Sequence, residues 1–156
     1  MRVGYRLCKR KYAPANSDGA RKAGGRWNSK GQPALYLADS VALAVLEVTV
    51  HALELPTDYL LWRFHIPDDA ITPVGELAPG WRDPKNVEVM RQIGTDWLRE
   101  KRSAGLSVPS VIVPLERNYV LNPEHPAFFR IKWEGLWDFE FDQRLRPTHA
   151  SLTHDG

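Results

Sequence analysis

Ala34-Leu35-Tyr36-Leu37-Ala38-Asp39-Ser40-Val41-Ala42-Leu43-Ala44-Val45-Leu46-Glu47-Val48-Thr49-Val50-His51 joins two kinds of element at a visible punctuation mark. Ala34 to Ala38 is a short apolar run of strand type. Asp39-Ser40 then offers an N-cap, and Val41 to Leu53 reads as a helix. That helix is apolar almost all round, which predicts burial. Glu47 is the only charged residue between Ser40 and Val50. A lone carboxylate on a buried helix is costly unless it is paired or hydrogen-bonded. Two readings stay open. The helix has one exposed stripe that carries Glu47, or Glu47 lines a cleft and is held ready for a cationic or hydroxylic ligand.

Outward from this stretch the elements are mixed. Residues 3–8 read as a short strand, and residues 13–33, rich in Gly, Asn, Ser, Lys and Arg, as a loop. Tyr59 to Ile66 reads as a strand closed by Pro67. Asp83-Pro84 opens a second helix, with cap and proline in their favoured order. Val87, Met90, Ile93 and Trp97 line one face of it, and Gly105 ends it. Val108 to Leu115 is a β-branched run with two prolines, expected as an edge or bulged strand. Phe128 to Trp133 and Trp137 to Phe141 look like two further strands. Strands and helices do not alternate regularly, so the expected class is α+β rather than a doubly wound sheet. Residues 1–144 are expected to form one catalytic domain, and residues 145–156 a polar C-terminal tail.

The chain has 156 residues, enough for one domain with a real core. It carries 21 Lys plus Arg against 19 Asp plus Glu, a net charge of +2. That balance, with no helix-turn-helix pattern, argues against direct DNA binding. The basic runs Lys9-Arg10-Lys11 and Arg99 to Arg102 fit solvated faces. A single cysteine, Cys8, excludes an internal disulfide, and no Cys/His spacing suggests a metal site. The opening residues lack the apolar run of a signal peptide, and no stretch is long enough to span a bilayer. A cytoplasmic protein without metal is expected.

Familiar signatures are missing: there is no GxGxxG, Walker-type loop, HExxH or GxSxG. Three further segments stand out beside Glu47. In Gly24-Gly25-Arg26-Trp27-Asn28-Ser29-Lys30-Gly31, the glycines permit close backbone approach and Arg26 offers a planar fork for phosphate or carboxylate; a flexible loop with an incidental arginine is the plainer reading. In Val108-Pro109-Ser110-Val111-Ile112-Val113-Pro114, Ser110 is a small hydroxyl in an apolar run and must find a partner, which a backbone group could supply. Asn118-Tyr119-Val120-Leu121-Asn122-Pro123, with His125 close behind, either starts a turn or contributes to a site.

Taken in order, Gly-Gly-Arg-Trp-Asn, Leu35-Tyr36, Ala42 to Val48 with His51, Val108-Pro109-Ser110 and Asn118 to Pro123 resemble the RES domain. That family is named for an arginine, a glutamate and a serine, which match Arg26, Glu47 and Ser110. The resemblance runs from about Arg6 to about Arg130 and is loose between Asp58 and Leu106. It implies a fold similar to the catalytic core of ADP-ribosyltransferases, a split β-sheet core flanked by helices. It implies a toxin of a toxin–antitoxin pair that consumes NAD by hydrolysis or phosphorolysis, or that transfers ADP-ribose to a protein. It also implies a helix-turn-helix antitoxin that plugs the active site. A non-catalytic partner of a DNA-binding antitoxin is the reading from another class.

The residue types suit such chemistry. Nicotinamide leaves NAD as a neutral molecule and needs no general acid. The difficulty is the cationic, oxocarbenium-like ribose left behind. A carboxylate near it, Glu47, would stabilise that charge. Arg26 would grip the pyrophosphate or a ribose, and Tyr36 would stack on the cationic nicotinamide ring. Ser110 would hydrogen-bond the ribose or amide. Asn122 is placed with the substrate-binding residues, although with His125 it could instead brace the loop.

Overall fold

In the computed structural model, which describes residues 1–145, one seven-stranded sheet organises the chain. The strands are β1 (Arg2–Lys9), β2 (Leu35–Ala38), β3 (Tyr59–Ile66), β4 (Ile71–Pro73), β5 (Gly105–Pro109), β6 (Arg117–Leu121) and β7 (Lys132–Phe139). Their order across the sheet is β4-β5-β6-β2-β1-β3-β7. Every neighbouring pair is antiparallel except β4 and β5. The helices are α1 (Asp18–Ala23), α2 (Val41–His51) and α3 (Val87–Glu100).

The join between β1 and β2 is the weak line of this sheet. β1 pairs with β3 along its whole length, from Arg2↔Ile66 to Lys9↔Tyr59. Against β2 it makes a single register pair, Tyr5↔Ala38. The sheet is therefore two half-sheets, β4-β5-β6-β2 and β1-β3-β7, which diverge from one point of contact. Edges that diverge inside a domain leave backbone groups and space for something else to fill.

Three apolar clusters hold this arrangement. Leu35, Leu37, Phe64, Ile66, Tyr119 and Leu121 form one that spans both half-sheets. Trp27, Met90, Trp97, Leu98, Leu106, Val108 and Val120 form a second, between α3 and β5-β6. Leu7, Ala38, Leu43, Ala44, Leu61 and Phe141 form a third, under α2. Helix α3 is thus tied to the β5-β6 side of the sheet, whereas α2 packs on both half-sheets, against Leu7 and Leu61 of one and Ala38 of the other.

Several expectations need correction. The stretch 13–33 is not all loop: it contains α1, and Asn28 within it is fully buried. The helix after Ser40 is real and capped as expected, with the Leu43 amide donating to the Ser40 hydroxyl at 3.1 Å. It stops at His51, and it is not buried all round, since only Leu43, Ala44 and Thr49 are buried and Val50 is exposed. The strand expected at Val108 to Leu115 lies earlier, at Gly105–Pro109, because Ser110 turns the chain. Strand β6 occupies residues that were read for their Asn-Pro turn, and β4 carries no alternation long enough to announce itself. Phe128–Arg130 is a 3₁₀ turn, not a strand, and β7 is one strand rather than two. A bulge beside Leu61/Trp62 shifts the β7 register and breaks its alternation. Of the expected C-terminal tail, residues 146–156 lie outside the described residues.

Candidate active site

The cleft opens where β1 and β2 part. It encloses about 650 Å³, a volume suited to a small organic ligand. Its walls come from Tyr5, Arg6 and Leu7 on β1, Tyr36, Leu37 and Ala38 on β2, the Gly24–Trp27 loop, α2, and Val87 and Arg91 on α3.

Helix α2 presents Ala44, Glu47, Val48 and His51 to the cleft. Those positions are spaced three, one and three apart, a single stripe of a helix. Glu47 is half-buried on that stripe. The Ser110 hydroxyl donates to its Oε1 at 3.1 Å. Ser110 itself is fully buried, and its Oγ accepts the amides of Ile112 and Val113, both at 3.1 Å. With both amides on the oxygen, the only proton of the hydroxyl points at the carboxylate. Ser110 thus holds Glu47 while capping the turn after β5. It is not itself a wall residue of the cleft.

The Gly24–Asn28 loop is ordered by hydrogen bonds, not slack. Gly24 has φ 73°, a left-handed conformation that glycine adopts freely. The Gly25 amide donates to the Asn28 carbonyl at 2.9 Å. The Asn28 side chain donates to Ala20 O at 2.9 Å and Gln32 O at 3.0 Å, and accepts from the Tyr36 hydroxyl at 2.5 Å. The Tyr36 hydroxyl also accepts the Trp27 amide at 3.2 Å. A Cβ on Gly25 would stand 2.6 Å from the Tyr36 oxygen, so a larger residue there would break the bundle. From α3, Arg91 Nε donates to Gly25 O at 2.9 Å, and the Thr95 hydroxyl accepts the Ser29 amide at 3.0 Å. Burial pushes the Tyr36 phenol well above its ordinary pKa, so it stays protonated and donating.

Arg26 projects from this loop into the cleft and makes no hydrogen bond among the described residues. Its Nη1 is buried and has no partner. Burial lowers its pKa from the ordinary value, and the Glu47 charge opposes that shift while Arg91 adds to it. An arginine remains charged under such a shift. A partly buried cation whose Nη1 has no partner is poised for an anionic ligand.

The expected site residues therefore divide. Arg26, Tyr36 and Glu47 meet around one cleft, and Ser110 stands behind Glu47. Asn122 does not join them. It is buried, its Nδ2 donates to Leu98 O at 3.0 Å, and its Oδ1 accepts the Glu124 amide at 3.0 Å. Its side chain is thus engaged at both ends in bracing the turn after β6. His125 acts in the same turn, accepting the Ala127 amide on Nδ1 at 2.9 Å. The sequence reading did not assign Asn28, Arg91 or Arg6 to the site. Asn28 was legible only as part of the Gly-Gly-Arg-Trp-Asn string; Arg6 and Arg91 gave no signal apart from their type.

Among the described residues, no group of three or more His, Cys, Asp or Glu is arranged to hold a metal, and no helix is long and apolar enough to cross a membrane.

Comparison with known proteins covers most of the chain. The model of the family described as RES domain matches residues 3–142. A protein of Photorhabdus laumondii named Toxin Res is 41% identical over 148 residues, spanning 90% of this chain and 95% of its own. A protein of Sphingobium named Prs ADP-ribosylating toxin is 38% identical over 135 residues, spanning 81% of this chain and 83% of its own. Among solved structures, the M. tuberculosis MbcT–MbcA toxin–antitoxin complex contains a chain that superposes with a TM-score of 0.68 at 20% identity, covering 86% of this chain and 84% of that one. That likeness is one of fold.

Proposed function

The chain belongs to the RES domain family, and from that membership and the geometry of the cleft we propose that it is the toxin of a toxin–antitoxin pair and cleaves the bond between nicotinamide and ribose in NAD. The observation that carries this reading is the Glu47 carboxylate, fixed by the Ser110 hydroxyl at 3.1 Å, facing a cleft whose other wall bears the unpaired Arg26. Glycosidic cleavage of NAD asks for a fixed negative charge beside a ribose that becomes positive, and for a cation at the phosphates. The cleft separates those two demands on α2 and on the Gly24–Asn28 loop.

In this mechanism Arg26 binds the pyrophosphate or the adjoining ribose. The Tyr36 ring, whose hydroxyl is tied to Asn28, offers a face to the nicotinamide cation. Nicotinamide departs with the bonding electron pair and is neutral. Glu47 stabilises the oxocarbenium until water or phosphate adds to the ribose carbon. The carboxylate is preorganised, so no reorganisation is needed as charge develops. The cognate antitoxin, of helix-turn-helix type, closes the cleft, and the protein acts in the cytoplasm.

One observation favours a second reading. The Sphingobium relative is named for ADP-ribosylation of Prs, and the same cleft would serve transfer of ADP-ribose to a protein side chain. A time course of cellular NAD after induction separates the two. Bulk cleavage predicts growth arrest with NAD falling within minutes. Arrest with unchanged NAD, and ADP-ribose mass added to a protein, would replace it with target-specific transfer.

A further inference from the structure

The two ends of the sheet are finished differently. At one end β4 is three residues long, runs parallel to β5 and ends on Pro73, so it offers little backbone to a further strand. At the other end β7 runs for eight residues, and β3 is the only strand it pairs with among the described residues. No turn or loop hydrogen bond between backbone groups of the described residues reaches Lys132 to Phe139. A long free edge is a template for another strand unless proline, repelling charge or a bulge closes it. β7 has no proline. Its bulge falls at Leu136, since Gly135 pairs with Trp62 and Trp137 with Leu61. The four residues before the bulge, Lys132 to Gly135, are all exposed.

Their side chains alternate between the two faces of the sheet. Trp133 lies on the face of Phe64, with ring centroids 5.4 Å apart, and 6.1 Å from the Phe128 ring, yet it is 38% exposed. Lys132 and Glu134 lie on the other face, paired with His65 and Arg63 of β3. Glu134 Oε1 accepts from Arg63 Nη2 at 2.7 Å. Lys132 has no ion pair among the described residues. When a strand pairs antiparallel with its own copy about a two-fold, each residue meets the one equally far beyond the centre, on the same face. A centre at Lys132 or at Glu134 sets like charges against each other, which is destabilising. A centre at Gly135 carries the bulge into the ladder and sets residues of opposite faces together. A centre at Trp133 sets Lys132 against Glu134 twice on one face and the two indoles against each other on the other. Of these registers, that one alone is self-complementary.

We propose that the Lys132–Gly135 stretch of β7 is a homodimer interface: it pairs antiparallel with the same stretch of a second copy, about a two-fold through Trp133, and joins two seven-stranded sheets into one. The occupant is a second copy because this chain supplies both partners of each ion pair and both rings of the aromatic pair. The bulge at Leu136 ends the ladder, so the interface is small and the dimer forms in a concentration-dependent way. Strand β3 separates β7 from β1, and the β1–β2 seam lies beyond. Both clefts therefore stay open in the dimer, and the proposal is independent of the NAD reading.

The test is analytical sedimentation of the whole chain over a concentration series, for wild type, Lys132→Glu, Glu134→Lys and an equimolar mixture of the two variants. Wild type is expected to move from one chain mass to two as concentration rises. Each variant alone should stay at one chain mass, because its two copies bring charge of a single sign to the two-fold. The mixture should regain the dimer, since each chain supplies the sign that the other lacks. Mixing would not repair a defect within one chain. A wild type that stays at one chain mass up to its solubility limit overturns the proposal and leaves the edge to a strand of another protein. A dimer that persists in both variants places the interface elsewhere and overturns it as well. So does a mixture that stays monomeric while circular dichroism shows both variants folded. Glu134 holds Arg63; should Glu134→Lys fail to fold, hydrogen exchange of the wild type decides. Protection of β7 amides between Lys132 and Gly135 is expected to rise with protein concentration, and protection that does not change overturns the proposal.

Discussion

Glu47 and Ser110 are 63 residues apart in sequence and meet through one hydroxyl proton. Their contributions can be separated by experiment. Glu47→Gln keeps the shape and removes the charge that would oppose the ribose cation. Turnover should fall by roughly 10²–10³, about 2.7–4 kcal/mol, with NAD affinity little altered. Ser110→Ala acts through Glu47 and through the chain itself. It frees the carboxylate and leaves the Ile112 and Val113 amides without their acceptor, so stability should drop by about 1–3 kcal/mol. Its turnover should fall less than that of Glu47→Gln, at an NAD affinity close to normal. Melting curves and single-turnover kinetics of both variants check this. Near-normal turnover in a destabilised Ser110→Ala would make the serine a turn residue only. The sequence showed that Ser110 needed a partner; it could not show that the partner was Glu47, because hydrogen-bond demand is local and the supply came from another element.

Helix α3 shows how an element far along the chain shapes the site. Its apolar face was readable from spacing: Met90 and Trp97 are buried, and Ile93 packs against the same cluster. Its second face was not. Gly94 lies against the Trp27 backbone so closely that a Cβ would stand 1.9 Å from the Trp27 carbonyl oxygen. Arg91 and Thr95, on either side of it, hold Gly25 and Ser29. Alanine at position 94 would gain about 1 kcal/mol of helix propensity, yet a clash with backbone cannot be relieved by a rotamer change. Gly94→Ala should therefore lose about 1–3 kcal/mol net and displace the Arg26 loop, lowering NAD affinity as well as melting temperature. Calorimetry and thermal unfolding of this one variant test both. A glycine inside a helix signals only a local weakness in sequence; the Trp27 backbone that requires it is distant in the chain.

At the scale of the molecule, the divided sheet sets both the cleft and its charge. The chain is nearly neutral, at +2, yet Arg6, Arg26 and Arg91 converge on the seam while Glu47 is the single acidic residue among its wall residues. A partner that silences the protein by occupying the cleft has to supply negative charge there, from a chain terminus or an acidic side chain near Arg26. Toxin saturated with its antitoxin should therefore lose measurable NAD affinity, and free toxin should regain it. Calorimetric titration of NAD into the purified complex is the measurement; unchanged affinity would place the antitoxin elsewhere on the surface.

The sequence by itself determined the strand, the Ser40 cap and the start of the helix after it, the amphipathic face of α3 and the mixed α+β class, and it offered Arg26, Tyr36, Glu47 and Ser110 as candidates. Caps, periodicity and a lone charge among apolar residues are properties of a few neighbouring positions. Tertiary structure alone decided the rest. It set β1 against β2 through one pair and opened the seam. It turned Ser110 toward Glu47 rather than toward the cleft, and engaged Asn122 in bracing a turn. It left Arg6 without a counter-charge. Each of these depends on which distant group comes to satisfy, or fails to satisfy, a buried donor or charge, and that is fixed only when the half-sheets and helices pack.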